Sequence, residues 1–131
     1  MPIHSASSRK KLLECHDDLQ RLVAAVAERT DLLVICGHRG KREQNEAFMG
    51  RRSQLPWPHS KHNKVPSLAV DLTPDPLNWK DIEAFKKLGA LVKEVAGELN
   101  IEIKWGGDFV TWKDYPHFEL VKPAQEFDTA A

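Results

Sequence analysis

Cysteine is scarce in this sequence, unbroken apolar runs are short, and neither sign of charge predominates. The two cysteines, Cys15 and Cys36, show no CxxC spacing and no framework for disulfides. Both read as small buried hydrophobes, one on a helix and one at the end of a strand. Nowhere do about eighteen apolar residues follow one another, as a membrane helix requires. The opening MPIHSASSRKKLLECHDD also lacks the apolar stretch of a secretory signal. Synthesis in the cytoplasm and no membrane partner are therefore expected. Lysine plus arginine and aspartate plus glutamate number 19 each, so no net charge draws the chain to phosphate backbones or anionic lipid. Nucleic acid is not an expected partner. Internal repeats, low-complexity tracts and linkers are missing as well.

What remains is ordinary for a folded unit. Apolar residues make up 41% and charged residues 29% of 131 positions, and a chain of this size buries roughly two thirds of its unfolded surface. A single domain over 1–131 is expected, with no need of metal or disulfide merely to build a core.

Leu12, His16, Leu19, Leu22, Val23 and Val26 recur at three- and four-residue spacing behind Ser7 and Ser8, which predicts one helix from about Ser8 to Glu28. Leu32 to Cys36 is apolar, rich in β-branched residues and closed by Gly37, the pattern of a buried strand. A helix is expected over Lys41 to Met49, and then a long irregular segment from Gly50 to Pro66, crowded with proline, histidine and tryptophan. Loops of that length in small domains are usually functional.

Ser67 to Leu72 alternates as a strand with Leu68, Val70 and Leu72 on one face and Ala69 and Asp71 on the other, which points Asp71 away from the core. Asn78 is the expected N-cap of a helix whose stripe is Ile82, Phe85, Leu88, Val92, Val95 and Leu99. Strands at Ile101–Trp105 and Tyr115–Val121 flank a turn at Gly106-Gly107-Asp108. The expected fold is α+β, with helices packed on a small, mainly antiparallel sheet.

Three segments concentrate chemistry: Ser60-Lys61-His62 leading to Ala69-Val70-Asp71, Asp114-Tyr115-Pro116-His117-Phe118-Glu119, and Gly37-His38-Arg39 at a strand end. A catalytic zinc site takes three ligands from His, Asp or Glu and keeps a position for water, whose pKa the metal lowers to about 7. His62, Asp71 and His117 supply such a set. A carboxylate inside an apolar strand pays desolvation unless it meets solvent or a cation, so Asp71 calls for a partner. Lysine or arginine would serve equally well on spacing alone. Pro116 rules out a helical HExxH arrangement around His117 and favours a strand. Asp114, three residues earlier, then points to the opposite face unless the backbone bends between Asp114 and Pro116.

His4, His16, His38 and His59 have no matching partner and read as structural or solvent-facing. Trp57, Trp105 and Trp112 could line a peptide groove, although aromatic packing in the core is at least as good a reading.

Ser60, His62, Ala69, Asp71, Asp114 and His117 resemble the SxHxxGxAxD pattern, followed by an acidic residue three positions before a histidine, of the zinc D,D-carboxypeptidase and L-alanyl-D-glutamate endopeptidase group. That group shares a superfamily with lysostaphin and the hedgehog signalling domain. The similarity runs from about Leu33 to Leu120, and the segments KHN...PSLAVDL and DYPHFEL are most similar to the phage endolysin branch. There are two departures. The interval from His62 to Asp71 is two residues longer and lacks the middle glycine, with Val65-Pro66 nearby, and Asp114 stands where many relatives carry glutamate.

The resemblance implies a hedgehog/D,D-peptidase-like fold and a zinc ion held by His62, Asp71 and His117. It also implies Asp114 as general base and then acid, with Arg39 stabilising substrate and oxyanion. Gln44 and Ser60 are expected as substrate-binding residues that orient substrate or a ligand. The implied activity is hydrolysis of peptidoglycan stem peptides by a monomeric L-alanyl-D-glutamate endopeptidase. Such an enzyme would be made in the cytoplasm of a phage's host and reach the periplasm and cell wall through a holin or similar factor. A D,D-carboxypeptidase or dipeptidase is the nearest alternative. A non-catalytic zinc-binding interaction module is a second, against which Asp114 argues.

Overall fold

A computed structural model of the chain describes Ile3 and residues 5–121; His4 and the end of the expected 1–131 domain lie outside the described residues. The elements run α1 (Ala6–Leu12), α2 (Asp17–Ala27), β1 (Leu32–Cys36), α3 (Lys41–Met49), β2 (Ala69–Pro74), α4 (Ile82–Glu98), β3 (Ile103–Trp105) and β4 (His117–Leu120). Short 3-10 turns cover Lys61–Asn63 and Gly106–Asp108. The strands form one sheet in the order β1-β2-β4-β3, with every neighbouring pair antiparallel. The fold is α+β, as the sequence pattern leads one to expect.

The single N-terminal helix expected from Ser8 to Glu28 is two helices. After Leu12 the backbone leaves the helix so that Cys15 can bridge to Ser67, with the Ser67 amide donating to Glu14 O and the His16 amide to Ser67 O, both at 2.9 Å. His16 then starts α2 by accepting the Asp18 amide on its ring Nδ1. Periodicity runs through the break because both helices bury the same stripe. Ser5, rather than Ser7 or Ser8, caps α1. Ser8 is buried instead, and its hydroxyl accepts the Val34 amide at 2.9 Å, which fastens α1 to β1. Asp81 caps α4 in place of Asn78, whose side chain accepts the Lys80 amide one turn too early.

One face of the sheet is hydrocarbon. Leu32, Val34, Leu68, Val70, Leu72, Trp105, Phe118 and Leu120 pack there against Leu19, Leu22, Val23 and Val26 of α2 and Leu88, Val92 and Val95 of α4. The other face carries Asp71, His117 and Glu119, and it looks into a cavity of about 1040 Å³. Strand alternation alone separates the two. β1 departs from that regularity at a bulge between Val34 and Cys36, so that Cys36 stands opposite Asp71 where Ile35 would otherwise stand.

A candidate metal centre on the polar face of the sheet

β2 and β4 are registered so that Asp71 and His117 are direct cross-strand partners, with Val70 opposite Phe118 and Ala69 opposite Glu119. The third donor arrives from the long segment before β2. Ser60 caps the Lys61–Asn63 turn, its hydroxyl accepting the His62 amide, and this turn lays the His62 ring over Asp71. His62 Nε2 is 3.2 Å from Asp71 Oδ1, and His117 Nδ1 is 3.5 Å from the same oxygen. The two imidazole centroids are 5.2 Å apart.

Each ring is oriented by a partner on its far nitrogen. His62 Nδ1 lies 2.7 Å from Gly37 O, and since a carbonyl only accepts, Nδ1 carries the hydrogen and leaves Nε2 for Asp71. His117 Nε2 lies 2.7 Å from Glu119 Oε1, which leaves Nδ1 facing Asp71. Gly37 has to be glycine for this to happen. A Cβ there would come within 2.3 Å of Lys11 O, at the end of α1.

The donors fit a small divalent cation. Atoms held about 2.0–2.1 Å from a tetrahedral ion lie about 3.3 Å from one another, and two imidazoles so bound have centroids about 5 Å apart. A different set, Cys36, His62 and Asp71, has donor atoms that all lie within 4.8 Å of one another. That alternative set is the poorer one. Cys36 Sγ approaches His62 on the Nδ1 side, at 3.8 Å, where the nitrogen is already committed to Gly37 O. The expectation that Cys36 is a core hydrophobe is nonetheless corrected: the bulge turns it to the polar face, half-buried beside Arg39 Nη2 at 3.6 Å. Cys15 is the buried hydrophobe expected of it, its thiol pushed up to about 12 chiefly by burial.

Electrostatics follow the geometry. Burial opposes charge on Asp71, yet the neighbouring His62 and His117 hold its carboxyl well below the usual range. Burial likewise disfavours a charged His62, but the Asp71 carboxylate outweighs it and raises the imidazole to about 10. His117 is raised against the cost of burial by its bonds to Asp71 and Glu119. Three donors in this state demand positive charge, which protons or a divalent cation can supply, and a cation entering releases the protons.

Asp114 reaches the same cavity by the bend its position requires. The His117 amide donates to Asp114 O at 3.1 Å, closing a turn over Tyr115 and Pro116, and the Asp114 amide donates to Gly106 O at 2.9 Å. Gly106 permits that approach, since a Cβ there would sit 2.0 Å from Asp114 O. Burial, and next the Asp71 charge, raise the Asp114 carboxyl above its ordinary value. Arg39 projects from the loop after β1, its backbone amide bonded to His62 O at 2.8 Å. Its guanidinium is 3.5 Å from Asp71 Oδ2 and donates to Gln44 Oε1 at 2.9 Å.

Gln44 is fully buried, and its amide is shared among Arg39, Asn63, Ser53 and Leu55 O. Ser60 is buried as well, with its hydroxyl on the His62 amide. These contacts orient Arg39 and His62, and a side chain at 0% exposure, as Gln44 is, leaves no surface for substrate. Of the tryptophans that the sequence leaves open between groove and core, Trp112 lines the cavity, whereas Trp105 packs in the core and Trp57 lies off the cavity. Trp79, stacked on Phe85 at 5.5 Å, lines it too, and no motif in the sequence singles it out.

The family model for phage L-alanyl-D-glutamate peptidases matches residues 3–129. The chain belongs to that family. Its fold is similar to the crystal structure of the Serratia marcescens L-Ala D-Glu endopeptidase ChiX, with a TM-score of 0.76 and 29% identity over 88% of this chain and 87% of that one. The cavity over Asp71 is lined by His62, Asp71, His117, Asp114 and Arg39 together.

Proposed function

We propose that the chain is a zinc-dependent L-alanyl-D-glutamate endopeptidase that cuts peptidoglycan stem peptides. The observation that carries this reading is the convergence of His62 Nε2, His117 Nδ1 and Asp71 Oδ1 at 3.2 and 3.5 Å on the open face of the sheet. A zinc ion bound by these atoms would supply Lewis acidity and bring the pKa of water toward about 7. The remaining chemistry belongs to the chain. Asp114, with its proton affinity raised by burial, accepts a proton from the attacking water at its carboxylate and returns it to the departing amine nitrogen as the C–N bond breaks. Arg39, held by Gln44, presents guanidinium N–H groups to the acyl oxygen as negative charge develops there. No covalent intermediate with the chain is needed.

The family's description as a phage peptidase supports the setting proposed with it. The enzyme acts as a monomer, is made in the cytoplasm of a phage's host, and reaches the wall through a holin or similar factor during lysis. Purified sacculi and synthetic stem peptides, incubated with the protein before and after chelation, test this reading. Release of muramyl-L-alanine and a D-glutamate-terminated peptide, lost with the chelator and restored by zinc, is the expected result. Loss of terminal D-alanine instead would identify a D,D-carboxypeptidase. Fragments that persist unchanged under chelation would remove zinc from the mechanism.

A further inference from the structure

His117 and Glu119 alternate onto one face of β4, two positions apart, and their side chains meet at 2.7 Å through Nε2 and Oε1. The other oxygen of Glu119 is 3.2 Å from Lys61 Nζ, and that ammonium also donates to Leu120 O. Lys61 immediately precedes His62 on the Lys61–Asn63 turn. The two imidazoles facing Asp71 are therefore joined behind the site through Lys61 and Glu119, which tie the turn carrying one to the strand carrying the other.

We propose that Glu119, anchored by Lys61, is a positioning residue that fixes the tautomer and orientation of His117 and thereby sets the affinity of the site for its cation. An ionised carboxylate only accepts hydrogen bonds, so the contact holds a hydrogen on Nε2, and once the ring gives up its second proton the lone pair is left on Nδ1, the atom facing Asp71. Without Glu119 a neutral imidazole is free to place its hydrogen on Nδ1 and donate it to Asp71, which blocks the position a cation would take. His62 needs no such side chain, because Gly37 O holds its far nitrogen. The device is thus required at one histidine and already supplied by the backbone at the other. Partners of this kind on metal-binding histidines typically change metal affinity about 10–100-fold when removed.

The inference rests on the proposed metal site, and the test separates the two. Metal-free wild type, Glu119→Ala, Glu119→Gln and Lys61→Met are titrated with zinc against a chromophoric chelator, and the melting temperature of each metal-free protein is recorded. Glu119→Ala is expected to weaken zinc binding about 10–100-fold. Glu119→Gln, whose amide oxygen still accepts from Nε2, should stay within a few-fold of wild type, with Lys61→Met between the two. Melting of the metal-free variants should change little. If wild type binds zinc and Glu119→Ala binds it equally well, the inference is overturned alone. If Glu119→Gln is as weak as Glu119→Ala, charge rather than positioning is the cause and the inference again fails. Wild type that takes up no zinc overturns the metal site and this inference with it.

Discussion

On β2, Val70 and Leu72 lie in hydrocarbon between two helices and the sheet, whereas Asp71, between them in sequence, lies among two imidazoles and a guanidinium. The same contrast holds on β4, where Phe118 and Leu120 face the core and His117 and Glu119 face the cavity. A strand offers these two environments at a spacing of one residue, so a site can be rigidly mounted on a core without sharing a side chain with it. On the polar face the ring of Phe109 lies 5.8 Å from that of His117, but no helix among the described residues packs hydrocarbon over Asp71 as α2 and α4 do over Val70. The polar face is held by directed contacts instead: Gly37 O and Glu119 on the two rings, Ser60 on the His62 amide, Gln44 on Arg39. Substitutions on the apolar face should therefore register in stability alone, whereas those on the polar face should register in metal binding or turnover, whatever they also cost in stability.

The severest break on the polar face is Asp71→Ala. It removes the oxygen common to both histidines, and zinc content and hydrolysis should both fall to background. The metal-free protein should also lose about 3–5 kcal/mol, because the cations gathered around Asp71 are left uncompensated. Stoichiometric zinc in that variant would break the comparison. Next comes Asp114→Ala, for which kcat is expected to fall about 10²–10⁴-fold, the range for general acid–base groups, while zinc remains bound. Wild-type turnover would remove Asp114 from the proton pathway.

On the apolar face, Phe118→Ala should cost about 3–5 kcal/mol in denaturant unfolding and leave zinc affinity as it was. A matching loss of zinc affinity would mean the two faces are coupled after all. A further effect concerns pH. His62 is raised in the folded chain to about 10, from an unfolded value of about 6.5, so folding favours its protonated form. That stabilisation is fully present below the lower value and is lost as pH rises through the upper one. Melting of the metal-free protein should accordingly decline between these values, and zinc should abolish the decline by displacing the proton. A flat profile without zinc would contradict the assigned charge state.

Much of the fold and the site is legible in the sequence. β1 and α3 begin and end where composition places them, and the alternation of Ser67 to Leu72 correctly turns Asp71 from the core. Strand parity makes a bend between Asp114 and Pro116 a requirement if Asp114 is to share a face with His117, and the turn closed by the His117 amide meets it. His62, Asp71, His117, Asp114 and Arg39, spread across the chain, all line one cavity.

The features that are not legible depend on partners distant in sequence. The break after α1 exists because Cys15 bridges to Ser67, and nothing in a helical stripe announces that bridge. Alternation places Cys36 with Leu32 and Val34 on the core side, and only the bulge at Ile35 moves it across. Glu119 carries a usable signal, since it shares a strand face with His117 by parity. Its tie to Lys61 does not, because that contact spans 58 positions of chain, from 61 to 119.

The proposed centre surrounds its cation with two imidazoles and one carboxylate, and with no sulfur. X-ray absorption at the zinc edge of the loaded protein reads that directly. The prediction is a shell of nitrogen and oxygen only, at about 2.0–2.1 Å, with the outer scattering of two imidazoles, reduced to one in His117→Ala. A sulfur at about 2.3 Å would place Cys36 in the shell and contradict it.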